Sequence, residues 1–258
     1  MNRAPALTEG LGILELVAHS SDPVPFETIV SNASMSRSSC ARLVKVLLNC
    51  GHIAQPGSGQ GYVPGIRLFS IAHSCQGRSS ALQQMNMLMR SAAEDTGTSV
   101  QYAILDRSRG RVVVVARQEC EDSLHTAGPG TDITSYAHRH ALCKAILAFC
   151  DPAVMSSVMD QCRPVRKTEN TIMPGSGFDA CLENVRKRKY AEDREESSAH
   201  VFRVAVPVFD LDDNISAAVC SAWFAAEFDK SRAAALLEIL EEIRSAATLL
   251  FFRKEDHE

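Results

Sequence analysis

The chain has 258 residues, 45% of them hydrophobic and 22% charged, with a formal net charge of −4. This is ordinary for a globular protein with a real core, large enough for one big or two modest domains. No run approaches the ~20 apolar residues that span a bilayer. Residues 1–20 carry Glu9 and Glu15 and mix polar with apolar positions, unlike a signal peptide. A cytoplasmic protein without membrane contact is expected. The nine cysteines form no C-x-x-C pair and are odd in number, so they read as small hydrophobes rather than a disulfide framework.

In chain order, the first predicted helix runs from Leu7 to about Ala18. Leu7, Leu11, Leu14 and Val17 fall on one helical face, expected to be the buried one. His19–Pro23 stops it. A second, short helix covers Phe26 to about Asn32, with Pro25 at its start. A third is expected from Ser36 or Arg37 to Asn49 or Cys50. Ser34 or Ser36 is its cap, and Leu43, Val46 and Leu47 form its apolar face. Gly51 suits the left-handed terminator. His52–Ala54, a glycine-rich stretch at 55–61, and Tyr62-Val63 read as a small hairpin.

These elements make a winged helix-turn-helix, in which two helices brace a third whose exposed start enters the DNA major groove. The whole-chain charge argues against nucleic-acid binding, but its distribution matters more. Residues 1–72 hold five basic and four acidic side chains, and three of those basic ones lie between Arg37 and Lys45. Ser36, Arg37, Ser38, Ser39, Arg42 and Lys45 are therefore the candidate DNA contacts. Arginine can pair bidentately with guanine, while hydroxyls and helix starts hold phosphates. The bland alternative is a solvated helix face.

Gly65 to about His73 reads as a short helix and Gln76–Ser80 as a polar hinge. A linker helix follows over Ala81–Asp95, ended by Thr96-Gly97. The periodicity then changes. Val100–Leu105 and Arg111–Gln118 are strands of a hairpin. Helices are expected at Ala137–Phe149, Ala153–Cys162 and Phe178–Lys189. Strands are expected at Val201–Phe209 and Ile215–Trp223, and a closing helix at Phe228–Phe252. The reading is α+β, with an antiparallel sheet in the second domain. The expected domains are 1–75, a linker at 76–98, and 99–258.

Several segments resemble one family. Leu7–Glu15, Met35–Leu43, Gly51-His52-Ile53 and Tyr62–Leu68 look like the helix-turn-helix and wing of the IclR family of bacterial transcriptional regulators. His138–Ala148, Tyr190–Glu196 and Ala205–Asp210 resemble segments of that family's second domain. The resemblance covers nearly the whole chain. It implies a GAF-like effector domain, a homodimer or homotetramer, a double-stranded DNA operator, and a small organic acid or aromatic as effector.

By position, it implies effector contacts at Ala141, Leu142, Cys143, Asp193, Arg203, Cys220 and Ala222. This chain departs from the family's usual residues in several places. Glu9 stands where the first helix usually has Arg, and the wing tip lacks Lys and Arg. Cys143 replaces Gly, Arg203 replaces a frequent Cys, and Cys220 and Ala222 replace frequent serines. Arg203 could offer a fork to a carboxylate or could pair with Asp193 and close the pocket.

His138, His140 and Cys143 are poorly spaced for a metal, so no metal is expected. Glu192–Glu196 reads as a solvated segment at the pocket rim, and Arg186–Lys189 as favourable charge at a helix end. No phosphate loop, G-x-S-x-G or zinc-protease helix occurs. Neither catalytic residues nor a cofactor is expected. The rivals to a ligand-modulated regulator are a redox sensor using Cys143 or Cys220, and a small-molecule-binding protein or enzyme with a vestigial DNA domain.

Overall fold

The computed structural model describes residues 4–57, 59–78, 80–227 and 229–252. Contacts divide the chain into two units, Met1–Ser80 and Ala81–Glu258. Among the described residues no helix is long and apolar enough to cross a membrane.

The first unit holds α1 (Pro5–Ala18), α2 (Phe26–Asn32), α3 (Arg37–Asn49), β1 (Ile53–Ala54), β2 (Val63–Pro64) and α4 (Ile66–Arg78). Its core is Ile13, Val17, Val24, Ile29, Val44 and Ile53. The inward face of α1 differs from the expected one. Gly10, Ile13 and Val17 are buried, whereas Leu7 and Leu11 are 64% and 48% exposed. Spacing alone admits either stripe, and the small Gly10 decides for the one that lets α3 approach, with Leu43 next to it. On α3, likewise, Cys40 and Val44 are buried while Val46 faces out.

Two glycines set the wing. Gly51 takes φ +72 just after the Cys50 cap, a left-handed conformation that costs glycine little. Gly65 lies so close to Gly51 that a Cβ there would come within 2.2 Å of the Gly51 carbonyl oxygen. The hairpin pairs Ile53 with Pro64 and Ala54 with Val63. A further bridge joins Tyr62 to Val24, tying the wing to the α1–α2 connection. Helix α4 continues past His73 through the expected hinge to Arg78, and α5 (Ser80–Thr96) begins two residues later. Of that hinge, Ser79 lies outside the described residues.

The second unit is built on an antiparallel five-stranded sheet, order β4-β3-β7-β6-β5. The strands are β3 (Ser99–Asp106), β4 (Arg111–Gln118), β5 (Ala191–Arg194), β6 (Val201–Phe209) and β7 (Ile215–Phe224). Side chains alternate across it. Phe202, Val204, Val206, Val208, Val219 and Trp223 meet Met85, Met89, Leu236 and Leu240 of α5 and α9 (Lys230–Phe251). Ala205, Ala218 and Cys220 meet α6 (Ala141–Leu147), α7 (Pro152–Gln161) and α8 (Ser176–Arg188). Phe228, the expected start of the closing helix, lies outside the described residues.

Helix α6 is shorter than the expected Ala137–Phe149. Thr134–Tyr136 forms a separate 3-10 turn. His140 is extended, and its Nδ1 accepts the Leu142 N–H at 3.3 Å, starting α6 four residues late.

Candidate functional site

At the start of α3, Ser36 is the cap. Its Oγ accepts the Ser39 N–H at 3.3 Å and lies 3.0 Å from Ser38 Oγ. Capping satisfies a backbone donor that the helix itself cannot. Arg37, Ser38, Arg42 and Lys45 are exposed and Ser39 is half-buried. Arg42 Nη2 donates to Ser39 Oγ at 3.2 Å.

Arg37 is already engaged. Its Nη1 and Nη2 each donate at 2.6 Å to the two carboxylate oxygens of Glu27, and its guanidinium lies 5.1 Å over the Phe26 ring. Both members of the pair are well exposed, 61% and 70%. The hydrogen bonds from Arg37 hold the Glu27 carboxyl below its ordinary range. Sequence reasoning did not foresee this pair, since residues ten apart meet only through the turn between α2 and α3. Glu9 also has a structural task. Its carboxylate accepts the Ser34 N–H at 3.3 Å, bracing that same turn.

In the second unit, strand register brings the effector candidates of the sheet together. Asp193 pairs with Arg203, Arg203 with Ala222 and Ala222 with Ser99; Ala205 pairs with Cys220 and Cys220 with Gln101. Opposed residues share a face, the one covered by α6. Ala141, Leu142, Cys143, Asp193, Cys220 and Ala222 are all buried, and Arg203 nearly so.

The two readings of Arg203 are thereby separated: Nη1 donates to Asp193 Oδ2 at 2.8 Å and to Ser197 Oγ at 2.5 Å. Asp193 also accepts the Ser197 hydroxyl and the N–H groups of Glu196 and Ser197. A second ion pair lies nearby, Lys144 Nζ to Glu196 Oε1 at 2.5 Å, with both side chains buried. Burial raises the Glu196 carboxyl above its usual value despite Lys144.

The expectation of a solvated Glu192–Glu196 is therefore corrected. Its first three residues lie in β5, and Asp193 and Glu196 point inward. A charged string looks like surface until its partners, Lys144 and Arg203, are known. Sequence reasoning also missed Ser197, which lies in the polar connection between β5 and β6 and gave no signal, and Gln101 and Lys144, whose only signal was a polar residue on an otherwise apolar strand or helix.

The histidines hold structure. His138 meets Cys162 Sγ at 3.2 Å and the Val165 carbonyl at 3.3 Å. His140 caps α6, and burial pushes its pKa down to about 3, so the ring is neutral. No three metal-binding side chains gather among the described residues. Cys143 and Cys220 are completely buried. Burial raises both thiols, Cys220 to about 12, so neither offers the thiolate that redox chemistry requires. On Arg186–Lys189, Arg186 and Lys187 pair with Glu183 and Arg188 with Glu192.

Residues 6–57 match the IclR helix-turn-helix domain and residues 73–248 match the bacterial transcriptional regulator IclR C-terminal domain. The acetate operon repressor of Salmonella typhimurium is 24% identical over 206 residues, 80% of this chain and 74% of the relative. An IclR transcriptional regulator from Alicyclobacillus acidocaldarius superimposes with TM-score 0.81 at 17% identity, covering 96% of this chain and 99% of that one. An IclR homolog from Microbacterium hydrocarbonoxydans, crystallised with 4-hydroxybenzoate, gives TM-score 0.73 at 18% identity, covering 94% and 97%. The chain belongs to the IclR family of bacterial transcriptional regulators, with its helix-turn-helix domain followed by its effector-binding domain.

Proposed function

We propose that this regulator docks the start of α3 into the major groove of a double-stranded DNA operator. Ser36, Arg37, Ser38, Ser39, Arg42 and Lys45 supply the contacts. The observation that carries this reading is the exposed, Ser36-capped helix start with Arg37, Ser38 and Arg42 at its surface. Arg42 and Ser38 are the direct readers, and Arg37 works from its place on Glu27. Residues 1–75 form the DNA-binding domain, 76–98 the linker and 99–258 the effector domain. The protein acts in the cytoplasm as a homodimer or homotetramer, so that paired recognition helices meet half-sites about one helical turn apart.

The effector is a small organic acid or aromatic molecule held among Ala141, Leu142, Cys143, Asp193, Arg203, Cys220 and Ala222. Its binding changes operator affinity through a coupling free energy relayed along α5. The relative from Salmonella typhimurium is named a repressor, and repression is the sign proposed here.

Fluorescence anisotropy with DNA from upstream of the protein's own gene, titrated across salt, tests the proposal. Binding should be sequence-selective, should weaken as salt rises with a shallow slope because the wing lacks cations, and should collapse in Arg42→Ala. Absence of binding at low salt would overturn it.

A further inference from the structure

We propose that the effector of this chain is uncharged: a small flat molecule offering a hydrogen-bond acceptor to Arg203 and a donor to Gln101, rather than a free carboxylate. The inference rests on the placement of the effector site at Asp193, Arg203, Cys220 and Ala222.

Charge balance disfavours an anion here. The buried side chains around this face form two closed pairs, Arg203 with Asp193 at 2.8 Å and Lys144 with Glu196 at 2.5 Å. His140 is neutral. The buried set therefore sums to zero. Arg139 is the remaining cation close by. It is only half-buried: Nη1 donates to the Val165 carbonyl and the guanidinium lies over the Tyr136 ring, while Nε is buried without a partner among the described residues, so water reaches part of its charge. A carboxylate entering the buried set would be one anion too many. It could take Arg203 only by evicting Asp193, which accepts four hydrogen bonds where it is. A buried anion without a partner is strongly destabilising.

Unused hydrogen-bonding capacity points the same way. Arg203 Nε and Gln101 Oε1 are buried and meet no hydrogen-bond partner among the described residues. Buried polar atoms in this condition are uncommon and call for an occupant. The Gln101 amide is oriented by its other end, since Nε2 donates to the Ala127 carbonyl at 2.8 Å. One free donor and one free acceptor thus stand on the same sheet face, on β6 and β3, with β7 between them. Two strand spacings amount to about 10 Å, on the scale of one ring with a substituent at each end. The side chains that β7 places between them are the small Cys220 and Ala222. Hydroxyaryl carboxamides, aldehydes and ketones, with a hydroxyl donor at one end of the ring and a carbonyl acceptor at the other, have this pattern.

The test uses matched acid and amide probes on the full chain at pH 7.5: benzoate with benzamide, 4-hydroxybenzoate with 4-hydroxybenzamide, and pyruvate with pyruvamide. Thermal shift and calorimetry read the affinities. A neutral member should bind at least tenfold more tightly than its acid. Gln101→Leu should weaken it at least tenfold. Asp193→Asn frees the charge of Arg203, so it should reverse the preference toward the acid; circular dichroism checks that the variant folds. Wild-type protein preferring the acid in every pair overturns the proposal. A different failure identifies the underlying placement as wrong. If no probe binds either protein, or if Ala222→Trp leaves binding untouched, the effector site is elsewhere and this proposal goes with it.

Discussion

Replacing Lys144 by Met keeps the length and most of the volume of the side chain but removes the ammonium that Glu196 faces. Lys144 is fully buried and the Glu196 side chain is 6% exposed, with 2.5 Å between Nζ and Oε1. The second Glu196 oxygen has no partner among the described residues. The variant therefore leaves a carboxylate with no cation and little water, which costs about 3–5 kcal/mol. At about 2–4 °C per kcal/mol for a domain of this size, the second unit's thermal transition should fall by about 6–20 °C.

The loss should also depend on pH. Burial already raises the Glu196 carboxyl above its usual 4.5, so the native state holds this proton to higher pH than the unfolded chain. Stability then falls as pH rises from 4.5 toward the raised native value. Without Lys144 that native value rises further, so Lys144→Met should be milder at pH 5 than at pH 8. Lys144→Met with Glu196→Gln should recover most of the loss. Thermal unfolding followed by circular dichroism at both pH values reads all of this. A loss under about 1 kcal/mol at pH 8, or one equal at pH 5, would refute the reasoning.

Gly65→Ala should destabilise the first unit by at least about 2 kcal/mol in urea unfolding, because its Cβ would sit 2.2 Å from the Gly51 carbonyl oxygen. Gly12→Ala, in a helix with open space around it, should instead stabilise by about 0.5–1 kcal/mol. Ser36→Ala removes the α3 cap and should cost about 1 kcal/mol of stability; an unchanged unfolding midpoint would contradict the cap. In native protein, iodoacetamide should label the exposed Cys50 well before the buried Cys143 and Cys220, as mass spectrometry would show. Comparable labelling of all three would revive the redox sensor.

Much of the fold was legible because local signals agreed. The Ser36 cap, the Gly51 terminator and the valine run of β4 each announce an element without help from distant residues. The errors arose where tertiary contacts decide. Two apolar stripes on α1 satisfy the same spacing, and the one containing Gly10 is chosen by the approach of α3. Strand β5 and the connection after it went unread because their charges suggested surface, and the buried partners lie 52 residues away for Glu196 and 10 for Asp193. The DNA-contact candidates were readable as an exposed cluster, but the pairing of Arg37 with Glu27 was not. For Arg203, the sequence kept both an open fork and a closed pair, leaning slightly to the fork; strand register places Asp193 opposite it and selects the pair.

Guanine N7 methylation protection, on a duplex selected by the protein from a random pool, tests the central reading most directly, because N7 lies in the major groove. The account predicts two clusters of protected guanines about one helical turn apart, both lost in Arg42→Ala. Binding that leaves every major-groove guanine unprotected would contradict it.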